Sequence, residues 1–298
     1  MRTCVIFNPA ARGEKASAFR DHLGELSATC VLKPTYAAGS GRTLAAEAVR
    51  EGFETIVAAG GDGTVNEVLN GLGDVPDGFS RARLGVLPLG TVNVFAKELN
   101  LPARFSAAWQ VITEGREVRI DLPVAEFASV DGPTRRFFVQ LAGAGIDSRA
   151  IDLVNWEWKK KVGPLAYVAA GFQALSEHQP ALIASGNGPG EGAQGELVLI
   201  GNGRFYGGRF VVFPKARLDD GLLDVTVFPK VNWLSLAKAG WGMLANNLCA
   251  AAGAITFQTS NLTVTCPQPR GFELDGENIG PLPAKFTLIP RGLRVVAP

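Results

Sequence analysis

The segment Gly60-Gly61-Asp62-Gly63-Thr64 places one carboxylate inside a glycine-rich turn, between an apolar run at residues 55–59 and a segment with helical spacing. Glycines let backbone N–H groups approach a ligand closely, and the free N–H groups at the start of a helix attract anions. A carboxylate this close to a phosphate would repel it unless a divalent cation lay between them. The segment therefore predicts a site for a magnesium nucleotide, with an ordinary Asp-Gly turn as the alternative.

The residues after this turn have the spacing of an amphipathic helix. Its apolar positions recur at i, i+3, i+4 and i+7, and they are Val65, Val68, Leu69 and Leu72. We predict a helix that starts at Thr64 and holds Asn66 and Glu67 beside the ligand.

Short apolar runs alternate with helix-like segments over the first part of the chain, which is typical of a parallel sheet covered by helices. The runs lie at residues 4–7, 31–32, 55–59 and 84–87, and the helical segments lie within 14–28 and 41–51, from 64, and at 93–100. Ligands bind where the loops after such strands meet. Three of these loops consist largely of small, hydroxyl and amide residues, at 8–13, 60–64 and 88–93. We predict that they converge on one nucleotide, and three unremarkable turns with helix caps are the alternative.

The pattern changes at about Leu122 to short strand-like runs separated by Gly, Asp and Pro. We predict an α/β plus β fold, with a Rossmann-like parallel-sheet domain at residues 1–121 and a β-sandwich domain at 122–298. The final residues belong to the second domain in this prediction, with a return to the first domain as the alternative. Helical segments at 151–177 and 233–252 interrupt the second domain.

Composition excludes several classes of protein. The 29 basic and 28 acidic residues nearly cancel, so we expect no nucleic-acid partner. The four cysteines show no C-x-x-C spacing, which indicates a reducing cytoplasm. His22 and His178 lack metal-ligand spacing, and the chain has neither a G-x-S-x-G nor a P-loop motif. The apolar stretches at 165–175 and 233–255 are too short or too interrupted to span a bilayer.

Taken together, the motifs resemble the bacterial soluble lipid kinases with a diacylglycerol kinase catalytic domain. That family is related to sphingosine and ceramide kinases, and more distantly to NAD kinases and phosphofructokinases. The matching motifs run in family order along nearly the whole chain, at 8–9, 60–67, 88–93, 143–147, 219–224 and 275–277. NAD kinases share the Gly-Gly-Asp-Gly-Thr motif, whereas the later Asp-Gly-Leu-Leu-Asp and Asp-Gly-Glu motifs favour the lipid-kinase branch.

The resemblance implies ATP and Mg²⁺ as cofactors and a set of nucleotide-binding residues. These are Asn8, Pro9, Ala10, Thr35, Gly60, Gly61, Asp62, Gly63, Thr64, Val65, Asn66, Glu67, Gly90, Thr91 and Asn93. It also implies that Asp62 holds the catalytic Mg²⁺ and that Glu277 accepts the proton of the lipid hydroxyl. Asp121 would support the metal through water.

A second, structural Mg²⁺ site is implied by the same resemblance. Its residues would be Asp220 and the carbonyl of Leu222, with Asp219 close enough to assist. Each assignment has an ordinary alternative, because Asp-Gly pairs also form turns and Asp side chains also cap backbone N–H groups.

Two positions near the third loop depart from the family pattern. Val94 stands where family members commonly carry an acidic residue, so either the metal has one carboxylate fewer or another acceptor is used. Lys97 stands where the family often has Arg, which keeps the charge but loses the bidentate fork. Lys97 and Lys161 are the predicted substrate-binding residues.

The predicted acceptor is a lipid presented at a membrane surface, such as diacylglycerol or a related sphingoid or phospholipid. Residues 156–161 place two tryptophans beside three lysines, a mixture typical of membrane interfaces, although a solvated helix face would look similar. We expect a cytoplasmic protein peripheral to the membrane, and a homodimer stays open. Two alternative functions stay open. One is a kinase of a soluble metabolite such as NAD, and the other is a catalytically weak nucleotide- or lipid-binding regulator. An oxidoreductase fits least, because residues 60–64 do not match G-x-G-x-x-G.

Overall fold

A computed structural model gives the fold of the protein. It describes residues 2–11, 13–130, 132–145, 180–208, 210–232 and 253–298. The two helices predicted at 151–177 and 233–252, the aromatic and basic segment at 156–161, and Lys161 lie outside the described residues.

The first half of the chain alternates strands with helices, as predicted. The strands are β1 (Thr3–Phe7), β2 (Val31–Pro34), β3 (Thr55–Gly60) and β4 (Arg83–Pro88). The helices are α1 (Glu14–Asp21), α2 (Leu23–Ser27), α3 (Ser40–Arg50), α4 (Asp62–Gly73), α5 (Gly78–Arg81), α6 (Val94–Glu98) and α7 (Phe105–Glu114). The four strands pair in parallel in the order β2-β1-β3-β4. Their carboxyl ends therefore share one edge of the sheet.

Three helix boundaries differ from the prediction. Helix α4 begins at Asp62, two residues early, because an acidic side chain is favourable in the first turn of a helix. Helix α6 begins at Val94, since Asn93 has a φ of 52° and lies in the left-handed region. The single helix predicted within 14–28 is divided at His22 into α1 and α2.

The second half of the described chain is built of strands. They are β5 (Arg116–Ser129), β6 (Gly132–Phe137), β7 (Leu141–Gly145), β8 (Leu182–Ser185), β9 (Gly192–Gly195), β10 (Leu197–Gly201), β11 (Phe205–Tyr206), β12 (Phe210–Val211), β13 (Leu223–Phe228), β14 (Ile255–Thr259), β15 (Asn261–Thr265), β16 (Gly271–Leu274), β17 (Glu277–Pro281) and β18 (Ala284–Ala297). Six of them form an antiparallel sheet in the order β14-β13-β10-β7-β16-β17.

Strand β18 joins the two halves. It pairs in parallel with β4, where Val295 lies opposite Leu84, and antiparallel with β5 over most of its length. It also pairs with β15, so the parallel sheet continues into antiparallel strands. The first half contains the parallel sheet and the second half contains the antiparallel sandwich, so the predicted α/β plus β fold class is confirmed. Strand β5 runs unbroken through residues 121 and 122, and where one domain ends and the next begins stays a prediction.

Three apolar layers hold these parts together. Helices α3, α4 and α6 cover one face of the parallel sheet, and α1, α2 and α7 cover the other. The third layer lies between the two sheets, where Phe272 meets Phe127 and Phe286 edge to face at ring distances of 5.0 and 5.6 Å. In the part of the chain that the structure describes, no helix is both long enough and apolar enough to cross a membrane.

Candidate active site

The second and third glycine-containing loops touch at the carboxyl edge of the parallel sheet. The N–H groups of Leu89 and Gly90 both donate to the carbonyl oxygen of Gly60, at 2.9 and 3.2 Å. A Cβ atom added to Gly90 would lie 2.5 Å from Gly61 Cα, so this approach requires glycine. Asn93 closes the turn, because its Oδ1 accepts from Gly90 N at 3.0 Å and its Nδ2 donates to Gly90 O at 2.5 Å.

Asp62 lies where α4 and α6 both begin. Its Oδ1 accepts a hydrogen bond from Phe95 N at 3.4 Å, and the N–H groups of Asn93 and Val94 also face the carboxylate. Burial raises the pKa of Asp62, while these N–H groups and the charge of Lys97 oppose the rise. Backbone N–H groups at the start of α6 therefore face the carboxylate, beside the turn that would bind phosphate.

Glu277 begins β17 and reaches the first turn of α4. A Cβ atom added to Gly63 would lie 2.9 Å from Glu277 Oε1, so this carboxylate rests against the glycine next to Asp62. The Glu277 side chain is open to solvent on one side. Protein packed against its other side, together with the charges of Glu67 and Asp275, raises its pKa. A carboxyl group with a raised pKa at this position is suited to accept a proton.

Asp275 fixes the turn that precedes Glu277. It has a φ of 50°, in the left-handed region. Its carboxylate accepts hydrogen bonds from four donors, which are Asn66 Nδ2 at 3.0 Å and the N–H groups of Val139, Gln140 and Leu141 at 3.0, 3.0 and 3.2 Å. Burial raises the pKa of Asp275 and the four donors oppose that rise. The turn is thereby tied to α4 and to β7.

Glu67 and Asn66 make contacts inside the protein. Glu67 accepts hydrogen bonds from Gly39 N at 2.8 Å and Gly41 N at 2.7 Å, so its carboxylate caps the start of α3. Asn66 donates to Asp275 and its Oδ1 accepts from Asn70 Nδ2 at 3.1 Å. Both side chains hold the walls of the site, and direct contact with a nucleotide stays a prediction for each.

The side chains of Thr64 and Val65, in the first turn of α4, lie in different surroundings. The Thr64 side chain packs so closely on Gly60 that a Cβ atom there would overlap it. Val65 is buried in the core beneath the loop, and its N–H donates to Gly61 O at 3.1 Å. Thr64 therefore borders the site, whereas Val65 anchors it.

The first loop and the end of β2 lie at the same edge of the sheet. Asn8 Oδ1 accepts from Ala10 N at 2.9 Å, which closes a turn after β1. Thr35 N donates to the last residue of β1 at 2.8 Å, so Thr35 lies beside Asn8. Pro9 and Thr91 are exposed. These positions are compatible with a shared nucleotide, which stays a prediction.

Two family models match this chain. One, described as the diacylglycerol kinase catalytic domain, matches residues 2–125, and the other, described as the YegS C-terminal NAD kinase beta sandwich-like domain, matches residues 140–297. The chain belongs to the diacylglycerol kinase catalytic-domain family. The predicted resemblance is therefore confirmed.

Relatives and solved structures agree with this family. A YegS-like lipid kinase of Xanthomonas oryzae is 32% identical over 90% of this chain and 86% of its own length. A diacylglycerol kinase of Staphylococcus saprophyticus is 30% identical over 100% of this chain and 95% of its own. The crystal structure of a diacylglycerol kinase from Bacillus anthracis covers 100% of this chain and 97% of its own, with a TM-score of 0.75 at 22% identity. Yeast NADH kinase in complex with NADH shares the fold more distantly, with a TM-score of 0.57 at 9% identity over 100% of this chain and 84% of its own.

Asp121 is fully buried in β5 and holds two turns of this family member. Its Oδ2 accepts from Gly221 N and its Oδ1 from Arg291 N, both at 2.7 Å. Within the described residues, no hydrogen bond joins Asp121 to Asp62. The structure therefore places Asp121 with the Asp219–Leu222 turn, away from the contacts of the glycine-rich loop.

The Asp219–Leu222 turn concentrates negative charge. Asp220 Oδ1 accepts from Leu222 N at 3.1 Å, and Asp219 Oδ1 accepts from Arg217 at 3.4 Å. Burial raises the pKa of Asp220, and the charges of Asp121 and Asp219 add to that rise. Among the described residues, no group of three or more His, Cys, Asp or Glu side chains is arranged to hold a metal ion.

Each of the two predicted Mg²⁺ sites, at Asp62 and at Asp220, supplies only part of the coordination shell of the ion. Mg²⁺ usually keeps several waters and is held by one or two carboxylates plus substrate phosphates. Asp62 fits that mode, since it supplies one carboxylate beside the phosphate turn. Val94 adds no side-chain oxygen there. Asp220 and its neighbours fit as carboxylates whose mutual repulsion a cation would relieve.

Sequence reasoning missed a buried polar cluster behind Lys97. Glu98, in α6, accepts from Arg204 N and Nε at 2.8 and 2.9 Å and from Gln140 Nε2 at 3.2 Å. Asn70 in α4 was missed too, because it lies opposite the apolar stripe of that helix and is buried through its hydrogen bonds to Phe137. In α6 a signal was available, since Glu98 stands at i+4 and i+3 from the buried Val94 and Phe95.

Proposed function

We propose that this protein transfers the γ-phosphate of ATP to a hydroxyl group of a lipid, such as diacylglycerol or a related sphingoid or phospholipid, with Mg²⁺. The observation that carries the proposal is the contact of the Glu277 carboxylate with Gly63, beside Asp62. Phosphoryl transfer needs a metal held by carboxylates, donors to the phosphates and a group that receives the proton of the nucleophile. Relatives named diacylglycerol kinase support a lipid acceptor.

Each residue type has a role in the proposed reaction. Backbone N–H groups at the start of α4 bind the ATP phosphates. Glu277 takes the proton of the lipid hydroxyl as the hydroxyl oxygen bonds to the γ-phosphorus. At the same time the bond between that phosphorus and the β,γ-bridging oxygen breaks, and ADP leaves. When bound, Mg²⁺ neutralises charge on the phosphate oxygens, and Asp62 is its proposed ligand. A positioned proton acceptor contributes about 10² to 10⁴-fold to the rate.

The other predicted residues receive supporting roles. We propose that Asn8, Thr35 and Thr91 line the nucleotide, and that Lys97 contacts the substrate. Asp219, Asp220 and the Leu222 carbonyl would hold a structural Mg²⁺, and Asp121 would act there because it already binds the same turn. Residues 1–121 would bind ATP and residues 122–298 would bind a lipid presented at a membrane surface.

The decisive experiment follows radiolabelled γ-phosphate from ATP into a total bacterial lipid extract with Mg²⁺, beside a lipid-free reaction with NAD. The test variant is Glu277→Gln. Its matched control is Glu114→Gln, an exposed carboxylate at the end of α7 that bonds only to the neighbouring Gln110 among the described contacts. We expect a labelled lipid from wild type and control but not from Glu277→Gln.

Other outcomes identify the remaining functions. Label in NAD alone would indicate a soluble-metabolite kinase. ATP binding without any transfer would indicate a nucleotide-binding regulator, with Val94 as the residue to replace by Asp. Equal rates on lipid in detergent and in anionic vesicles would contradict presentation at a membrane surface.

A further inference from the structure

A continuous chain of hydrogen bonds runs from α4 to α6 by way of the turn before β17. Asn70 Nδ2 donates to Asn66 Oδ1 at 3.1 Å, and Asn66 Nδ2 donates to Asp275 Oδ2 at 3.0 Å. Asp275 Oδ1 accepts from Gln140 N at 3.0 Å. Gln140 Nε2 then donates to Glu98 Oε2 at 3.2 Å. We call these five residues the polar chain.

Both ends of the polar chain are held by further hydrogen bonds. Asn70 pairs with the backbone of Phe137, since its Oδ1 accepts from Phe137 N and its Nδ2 donates to Phe137 O, each at 3.0 Å. At the other end, Arg204 donates to Glu98 through both its backbone N and its Nε. The polar chain therefore has fixed ends.

Four of the five residues of the polar chain are buried and Asp275 is half-buried, so the desolvation of their polar groups opposes folding. Asn66, Asn70, Gln140 and Glu98 are 5%, 2%, 3% and 7% exposed. Buried polar groups must be hydrogen-bonded to be tolerated, and apolar side chains of similar volume often give equal or greater stability. A buried network whose hydrogen bonds are made holds the groups that it joins in fixed directions.

The location of the polar chain matches the site. Asn66 lies one helical turn after Asp62 in α4, and Glu98 lies one turn after the start of α6, which faces Asp62. Asp275, the middle residue of the polar chain, lies two residues before Glu277. The three elements that surround the Gly63 contact are thus tied to each other by side chains directly behind it.

We propose, on the basis of the proposed function, that the polar chain positions Glu277 against the phosphate-binding turn. Asn70, Gln140 and Glu98 are positioning residues for phosphoryl transfer, and their removal lowers kcat while nucleotide affinity is kept. A misplacement of about 1 Å can cost about a hundredfold in rate. A purely structural role would instead lower thermal stability without changing turnover by the folded enzyme.

The test measures kcat, KM for ATP, Mg-ATP affinity by calorimetry and Tm for the wild type and for Asn70→Ala and Gln140→Leu. Asn70 is chosen because Asn66 is also a predicted nucleotide-binding residue. The second variant keeps the side-chain volume and the backbone N–H to Asp275, so it guards against a failure of the first to fold. The matched control is Asn187→Ala, which removes an asparagine that accepts from Thr259 Oγ1 at 2.8 Å in the sandwich half. We expect kcat to fall about tenfold to a hundredfold in both variants, with ATP affinity within about twofold of wild type and the control unchanged.

A second experiment exchanges the side chains of the hydrogen-bonded pair Asn66 and Asp275. Asn66→Asp alone places two carboxylates together. Adding Asp275→Asn restores one donor–acceptor pair in the opposite direction but loses the hydrogen bond from Val139 N, so the expected recovery is partial. We expect the double variant to have a higher kcat than Asn66→Asp alone. Such a recovery is not explained by a general loss of stability.

Two results would overturn the inference while the proposed function stands: an active wild type with unchanged kcat in the folded variants, or a loss of kcat matched by an equal loss of ATP affinity. A wild-type chain that transfers no phosphate to lipid would overturn the proposed function and, with it, this inference.

Discussion

Glu277 illustrates how the surroundings of one side chain define its chemistry. It must be ionised to accept a proton. Partial desolvation by the protein packed against one side of it, together with the nearby charges of Glu67 and Asp275, favours its neutral form. We therefore expect kcat to fall as the pH is lowered through the Glu277 pKa, with a midpoint above the ordinary glutamate value of 4.5. The measurement is kcat at saturating ATP against pH.

Circular dichroism over the same pH range separates titration from unfolding. A midpoint at or below the ordinary value in a fully folded protein would contradict the arrangement of charges around Glu277.

Gly63 offers a second test at the scale of single residues. Alanine is the better helix former by about 1 kcal/mol, so Gly63→Ala in the first turn of α4 should leave Tm unchanged or raise it. Its new Cβ would meet Glu277 Oε1 at 2.9 Å and displace that flexible carboxylate. We expect kcat to fall at least about tenfold at unchanged Tm.

The matched control is Gly24→Ala in α2, where an added Cβ meets nothing within 4 Å. A parallel loss of Tm and kcat at Gly63, or full activity there, would show that the close approach has no role in catalysis.

At the scale of elements, the central strands were predictable because they are uniformly buried. All six residues of β3 are buried, which a short apolar run between turn signals indicates directly. Helix α7 was not predicted, although its buried residues Ala108 and Ile112 have the i, i+4 spacing of an amphipathic helix. The break at His22 was missed because neither Gly nor Pro stands at that residue.

The site was only partly accessible from sequence. Glycine-loop chemistry predicted an anion-binding turn with Asp62, and the family resemblance supplied Glu277. The pairing of Asn66 with Asp275 joins residues 209 positions apart, and no local pattern reports such a contact. The capping of α3 by Glu67 depends in the same way on tertiary packing.

The Asp219–Leu222 turn makes a prediction about Mg²⁺ without nucleotide. If it holds the ion, Mg²⁺ should raise Tm, because a ligand at a hundred times its Kd stabilises by about 2.7 kcal/mol. Asp220→Asn should remove most of this gain, whereas Asp21→Asn, at an exposed position in α1, should keep it. Thermal unfolding with and without Mg²⁺ is the measurement, and an ion-independent Tm for wild type would exclude a structural ion at this turn.

At the scale of the whole molecule, β18 joins the two halves in one sheet, and we expect them to unfold as one cooperative unit. Phe286 is fully buried between the sheets, and Phe286→Ala should cost about 3 to 5 kcal/mol. Because the same strand pairs with β4, we expect loss of ATP binding and loss of sandwich structure to occur in one transition at a lower denaturant concentration. Circular dichroism and nucleotide binding along one denaturant series test this.

The matched control is Phe210→Ala, at a side chain that is 48% exposed, which should change stability by less than about 0.5 kcal/mol. Two separate transitions for Phe286→Ala would indicate that the halves unfold independently.

The place of β18 in the sheet also sets the order in which a newly synthesised chain can be completed. It lies between β4 and β15, yet it is translated after both of them. Until it leaves the ribosome, β4 presents an open hydrogen-bonding edge, which is a template for pairing with other chains. Emergence of β18, rather than emergence of the nucleotide loops, is therefore the step that covers this edge of the sheet.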